Sequence, residues 1–372
     1  MQILQNEQKA TLLLADGTVF EGLSFGAQGT TIGEVVFTTG MTGYQEALTD
    51  PSYCGQIVTQ TFPLVGNYGV NEEDQESGRS YVKGYVVREW CECPSNFRCE
   101  GTIDAFLKKH DIIGLYDIDT RALTRKIREH GVMNGMITTE EITDREAALE
   151  RIGAFAIRDA VRTVTAVQPK KYTCENPQYE VALIDYGYKR NIRRSLLLRG
   201  CNVTVLPATV AADQLREGGF DGIMLSNGPG DPSENTEAIE NLREIARLGI
   251  PIFGICLGHQ LMALAQGAKT AKLKYGHRGG NQPVIDLATG LTYVTSQNHG
   301  YEVLGETLPA SVGKVSHINA NDKSCEGVQY GDGSIFTVQF HPEAHSGPED
   351  TGVLFDRFVD LMKAAKSAKE VG

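Results

Sequence analysis

Ile250-Pro251-Ile252-Phe253-Gly254-Ile255-Cys256-Leu257-Gly258-His259-Gln260-Leu261-Met262-Ala263-Leu264-Ala265 is the stretch on which the fold turns. Its first part, Ile250–Ile255, is a short apolar run of strand type, and Leu261, Leu264 and Ala265 repeat at helical spacing. Cys256 stands between them, flanked by Gly254 and Gly258. A strand that turns sharply into a helix needs small residues where the backbone crowds, as in the G-x-S-x-G elbow of serine hydrolases. The positive end of the following helix favours the thiolate, the form of cysteine that attacks carbonyl carbon. The stretch therefore predicts a nucleophile elbow. A buried core cysteine is the alternative, and the paired glycines argue against it.

Working outward, strands and helices alternate on the amino-terminal side of the elbow. Val181–Asp185, Asn202–Leu206 and Gly222–Leu225 read as strands, and Arg190–Leu198 and Glu237–Leu248 as helices. That rhythm predicts a parallel sheet with helices on both faces and ligands beyond the strands' carboxyl ends. Cys256 and the loop Ser226-Asn227-Gly228-Pro229-Gly230-Asp231-Pro232 both fall at such ends. Residues 1–165 have a different texture, α+β around their own core. Thr11–Ala15 and Val19–Leu23 flank a hairpin signal at Asp16-Gly17-Thr18; Glu34–Thr38, Gln56–Phe62 and Tyr81–Trp90 read as strands. Asp119 or Thr120 can cap a helix Arg121–Glu129, and Glu140–Phe155 reads as another. A polar, proline-bearing linker is expected over 166–179, and the parallel-sheet domain over 180–372.

The chain has 372 residues, too many for one ordinary core, and a net charge of −12. That charge argues against nucleic-acid or anionic-membrane binding. The local cluster Lys189, Arg190, Arg193 and Arg194 reads as one helix face or a partner contact. No basic region followed by an apolar one opens residues 1–7, and no run approaches the roughly 18 apolar residues that span a bilayer. A cytoplasmic location and reduced thiols are expected for its eight scattered cysteines. Cys91, Cys93 and Cys99 do not have the spacing of a common zinc module, so no metal is expected.

A cysteine nucleophile needs a base and a group to orient that base. His341-Pro342-Glu343, after a strand Ile335–Phe340, supplies both: in extended chain, residues two apart point the same way, so Glu343 can bind the His341 imidazole. His259 reads as packing, His277 and His299 as loop residues near a pocket, and His345 as too far past the strand. Leu257 N–H suits one oxyanion donor, and Gly228, otherwise a plain turn residue, the other. No G-x-x-x-x-G-K-[ST] phosphate loop and no G-x-G-x-x-G fingerprint occurs.

From about Val181 onward the chain resembles the class I, triad-type glutamine amidotransferases, with Cys256, His341 and Glu343 matching the family triad in type, order and local motif. The resemblance implies a class I glutamine amidotransferase domain that splits the side-chain amide of L-glutamine into glutamate and ammonia through a cysteinyl thioester. It assigns glutamine contacts to Gly228, Gly230, Leu257, Gln260, Asn298, Gly300 and Tyr301, where the family often has phenylalanine at the last. Glu34-Val35-Val36-Phe37, the run from Met41 through Tyr44, Asp50 and Ser52 to Tyr53, Ile118–Thr124 and Gly187–Ile192 are similar to the small-chain family of glutamine-hydrolysing carbamoyl phosphate synthases. By that resemblance Ser52 joins the glutamine pocket. The resemblance further implies a large partner chain that binds ATP and magnesium and receives ammonia through a tunnel, no cofactor in this chain, and a product that feeds arginine and pyrimidine synthesis. Another amidotransferase, a catalytically silent chain, and a stand-alone cysteine hydrolase are the competing readings.

Overall fold

A computed structural model describes residues 8–344 and 347–371 of the chain; the amino-terminal residues 1–7 and His345 lie outside the described residues. The chain divides into two compact units, residues 1–158 and 159–372. That division falls ahead of the linker expected at 166–179.

In the first unit the strands are β1 (Lys9–Leu14), β2 (Val19–Gly26), β3 (Thr30–Thr38), β4 (Gln56–Gln60), β5 (Leu64–Val65), β6 (Gly84–Val86), β7 (Glu89–Trp90), β8 (Ile113–Tyr116) and β9 (Met133–Thr138). They close into a barrel in the order β1-β2-β8-β6-β4-β3-β9, with β5 and β7 as a separate pair. Closure leaves no unpaired edge, the usual liability of a sheet. The expected hairpin is present, Leu13 facing Val19. The expected single strand Tyr81–Trp90 is two strands in different sheets, because the chain leaves the barrel after Val86. The helices are α1 (Tyr44–Thr49), α2 (Ile103–Lys109), α3 (Thr120–His130) and α4 (Arg145–Ala154). Asp119 caps α3 by accepting Ala122 N–H at 2.9 Å, and Leu123 and Ile127 bury its inner face. The helix read as Glu140–Phe155 starts five residues later, where Asp144 accepts Ala147 N–H at 3.0 Å.

The second unit holds α5 (Ala160–Val164), β10 (Lys170–Tyr172), β11 (Tyr179–Asp185), α6 (Arg190–Leu197), β12 (Cys201–Pro207), α7 (Ala212–Glu217), β13 (Gly222–Leu225), α8 (Thr236–Ile245), β14 (Ile252–Ile255) and α9 (Leu257–Ala265). Beyond these come β15 (Lys269–Asp286), β16 (Thr292–Leu304), β17 (Gly313–Asn319), β18 (Cys325–Tyr330), β19 (Ile335–Val338) and α10 (Val353–Val371). One ten-stranded sheet runs β10-β12-β11-β13-β14-β19-β18-β16-β15-β17. Its centre, β12-β11-β13-β14-β19, is parallel. The flanks are antiparallel, so the sheet is less uniformly parallel than the alternating rhythm led one to expect. Residues placed in the linker form β10, a charged edge strand paired with β12.

Both faces of the parallel block are covered. Ala182, Ile184, Ile223 and Leu225 pack with Ile239, Leu242 and Leu261 of α8 and α9. Val181, Leu183, Met224 and Phe253 pack on the other side with Ile192 and Leu196 of α6 and Phe355 and Phe358 of α10. Successive residues of β11 thus serve opposite faces, and burying each such side chain contributes about 1.5–3 kcal/mol. Among the described residues no helix is long and apolar enough to cross a membrane.

Candidate active site

Cys256 sits at the turn between β14 and α9 with φ 52° and ψ −102°, a conformation that non-glycine residues avoid and that costs about 1–3 kcal/mol. Neighbouring packing holds it there. Cys256 N–H donates to Val338 O on β19 at 2.9 Å, and Gly258 N–H to Ser226 O at 3.0 Å. A side chain at position 258 would place its Cβ 2.6 Å from Leu225 O, so only glycine lets α9 approach β13 this closely. The expected elbow is therefore present. Leu257 N–H stands at the first helical position, where no carbonyl four residues back can take it.

The loop after β13 is pinned against the elbow. Ser226 Oγ accepts Tyr186 N–H at 2.9 Å and donates to Asn227 O at 2.7 Å, while Asn227 Oδ1 accepts Lys189 N–H at 3.0 Å. Gly228 lies so near the Tyr186 carbonyl and the Leu257 side chain that any Cβ there would collide with both. Gly230 follows with φ +87°.

The elbow and β16 also meet. Cys256 Sγ lies 3.7 Å from Asn298 O, and His341 N–H donates to Ser296 O at 2.9 Å. A single stretch of β16 therefore passes both the thiol and the segment that carries the histidine. On α9, one turn beyond Cys256, Gln260 Nε2 donates to Tyr301 O at 2.8 Å and to Gln339 Oε1 at 2.9 Å. Gly300 lies on β16 between Asn298 and Tyr301.

His341 and Glu343 are both buried, and Nδ1 of the imidazole lies 2.7 Å from Glu343 Oε1. A carboxylate only accepts, so Nδ1 carries the proton of that bond and Nε2 is left as the working nitrogen. Among the described residues Nε2 has no protein partner. Sequence reasoning missed one member of this cluster: Lys189 Nζ lies 2.7 Å from the same Glu343 oxygen, with both side chains buried. Asp185 turns the chain inward by accepting Gly187 and Tyr188 N–H, each at 2.8 Å, which carries Lys189 away from the helix face to which it had been assigned. Burial alone would raise the Glu343 carboxyl, but the Lys189 ammonium and His341 outweigh it and hold it at about 2.

The remaining histidines divide. His259 is buried as expected, its Nδ1 2.8 Å from Thr337 Oγ1, and burial pushes it down to about 3. His277 and His299 are not in loops: they face each other across paired strands β15 and β16. The alternating polar residues of these strands resemble loop composition, which hid them. His299 bonds Tyr301 O at 2.7 Å and Gln297 Oε1 at 3.0 Å. His277 bonds Asp322 Oδ2 at 2.8 Å and lies 3.7 Å from Glu326 Oε1.

Among the described residues, His277, His299 and Glu326 are the one group whose metal-type donor atoms converge, all within 4.8 Å. Both His299 ring nitrogens are already hydrogen-bonded, so the group reads as a hydrogen-bond cluster. The thiols of Cys91, Cys93 and Cys99 do not converge in this way. Ser52 lies in the first unit, in a single turn Pro51–Tyr53 where its N–H donates to Asp50 Oδ1 at 2.9 Å.

The family model for class I glutamine amidotransferases matches residues 182–361, the stretch that carries the strained elbow cysteine and the carboxylate-bound histidine. The model for the carbamoyl-phosphate synthase small chain, CPSase domain, fits residues 12–137. The carbamoyl phosphate synthase small chain of Syntrophotalea carbinolica is 49% identical over 378 residues, covering 97% of this chain and 100% of that one. That of Bacillus caldolyticus is 50% identical over 364 residues, covering 98% and 99%. The chain belongs to the carbamoyl phosphate synthase small chain family.

Proposed function

We infer that this chain is the glutaminase subunit of a carbamoyl phosphate synthase, releasing ammonia from L-glutamine for a large synthetase chain. The observation that carries the chemistry is the joint position of Cys256 and His341 at the carboxyl ends of β14 and β19, both bonded to one stretch of β16. Cys256 passes its thiol proton to His341 Nε2, and the Sγ thiolate attacks the side-chain amide carbon of glutamine. The oxyanion that forms is met by Leu257 N–H and by the backbone at Gly228. His341 Nε2 donates a proton to the departing nitrogen, the C–N bond breaks, and ammonia leaves with the glutamyl group held as a thioester on Cys256. Water, losing its proton to His341, then cleaves the thioester and restores the thiol.

Gly230, Gln260, Asn298, Gly300 and Tyr301 hold the substrate's remaining groups. Glu343 fixes the imidazole tautomer, and Lys189 keeps that carboxylate ionised. ATP and magnesium belong to the large partner chain, in keeping with a sequence that lacks a phosphate loop. A closed route between the chains keeps ammonia unprotonated and nucleophilic. Its product would serve arginine and pyrimidine synthesis in the cytoplasm.

Cys256→Ser tests this. Assembled with the large chain, the variant is expected to lose glutamine-dependent carbamoyl phosphate formation while ammonia-dependent formation persists. Survival of glutamine use would overturn the proposal.

A further inference from the structure

We propose that Gln339, buried two residues before His341, is a positioning residue that fixes the Gln260 amide so that its oxygen is presented to the ammonium group of bound glutamine. Tyr301 O is a carbonyl and can only accept, so the Gln260 atom 2.8 Å away is its nitrogen. The second hydrogen of that NH2 group points to Gln339, 2.9 Å away, so Gln339 must turn its oxygen toward Gln260. Both hydrogens of Gln260 are then committed and the amide plane is set. Gln260 Oε1 is left as an acceptor with no hydrogen bond from the described residues.

Gln339 is itself enclosed in the core. It is completely buried, and its N–H donates to Glu326 O at 2.9 Å. Its Nε2 has no protein partner among the described residues, so one side-chain bond, that to Gln260, accounts for its orientation. On the other side of Gln260, Tyr301 O also receives His299 Nδ1 at 2.7 Å. The amide of Gln260 is thus clamped between β16 and the segment that leads to His341. A neutral acceptor fixed in this way suits a cationic amine, whereas a freely turning amide would offer its NH2 half the time.

The inference rests on the reading that Gln260 touches glutamine, and the test separates the two. Glutaminase kinetics are measured on the assembled enzyme with Gln260→Met, Gln339→Met, Gln339→Glu and the double Met variant. Gln339→Met keeps volume and removes the acceptor, so KM for glutamine is expected to rise about tenfold with kcat within about threefold of wild type. Gln339→Glu, protonated in its buried site, restores the acceptor oxygen and most of the KM. The double variant is expected to be no worse than Gln260→Met alone, since the two residues act through one group.

An unchanged KM in Gln339→Met, or multiplied effects in the double variant, would overturn the inference while leaving the role of Gln260 intact. An unchanged KM in Gln260→Met would overturn the underlying reading of the pocket. Ammonia-dependent synthesis and the melting transition report the fold. If Gln339→Met does not melt as wild type does, Gln339→Asn, whose oxygen falls short of Gln260, is expected to show the same rise in KM, and its absence there overturns the inference.

Discussion

Lys189 Nζ and His341 Nδ1 approach the same oxygen of Glu343, each at 2.7 Å. The carboxylate therefore serves two cations at once when His341 is protonated during turnover, and Lys189 is what keeps it ionised in the interval between.

Replacing Lys189 by Met is expected to lower glutaminase kcat at least about tenfold and to destabilise the fold by about 3–5 kcal/mol, because it leaves a charged group buried without its partner. The pH dependence has a definite sign. The folded Glu343 titrates at about 2 against 4.5 for an unperturbed glutamate. A depressed value contributes stability that is fully present above about 4.5 and is lost as pH falls toward 2, on the order of 3 kcal/mol in all. Urea unfolding should therefore show the gap between wild type and Lys189→Met narrowing from pH 7 to pH 3. A constant gap would contradict this electrostatic role.

The elbow makes a steric prediction. Gly258→Ala would place a methyl 2.6 Å from Leu225 O and 2.7 Å from Leu225 Cβ, both fixed parts of the core. The helix must move or strain, costing about 1–3 kcal/mol and roughly 5 °C in Tm. Because Cys256 and Leu257 N–H move with it, activity should fall much more than stability. Calorimetry together with a glutaminase assay checks both, and full activity would show that the elbow is not tightly held.

The strand pair β15 and β16 gives a third. Burial pushes His277 down, but Glu326 and Asp322 outweigh it and raise it above 6.5. A raised value means its stabilisation is present below about 6.5 and is lost as pH rises through the folded value. Side-chain NMR should find His277 titrating above 6.5, and Asp322→Asn should bring that transition down. Titration below 6.5 in the wild type would refute the pairing.

Where local pattern and tertiary role coincide, the sequence was legible. The β14–α9 elbow, the Asp119 cap of α3 and the strand–helix rhythm from Val181 to Ala265 follow from composition and spacing. The antiparallel flank was not visible, because β15 and β16 alternate polar residues and cross at bulges that break the two-residue period. Barrel closure was equally hidden, since it depends on pairings such as β1 with β9, far apart in the chain. In the site, His341 and Glu343 were found because residues two apart share a side of extended chain; the segment is in fact a turn, with Ala344 N–H donating to His341 O at 3.3 Å, and it still brings the two side chains together. Lys189 was not, because only the turn made by Asp185 sends it inward. Gln339 gave no signal at all, since its bond to Gln260 joins residues 79 apart.

The most direct measurement is to trap the intermediate. Enzyme assembled with the large chain is mixed with labelled glutamine, quenched in acid during turnover, and digested for mass spectrometry. The account predicts a glutamyl adduct on the peptide containing Cys256 and on no other cysteine peptide, absent from Cys256→Ser. Steady turnover with no adduct, or an adduct on a different cysteine, would contradict it.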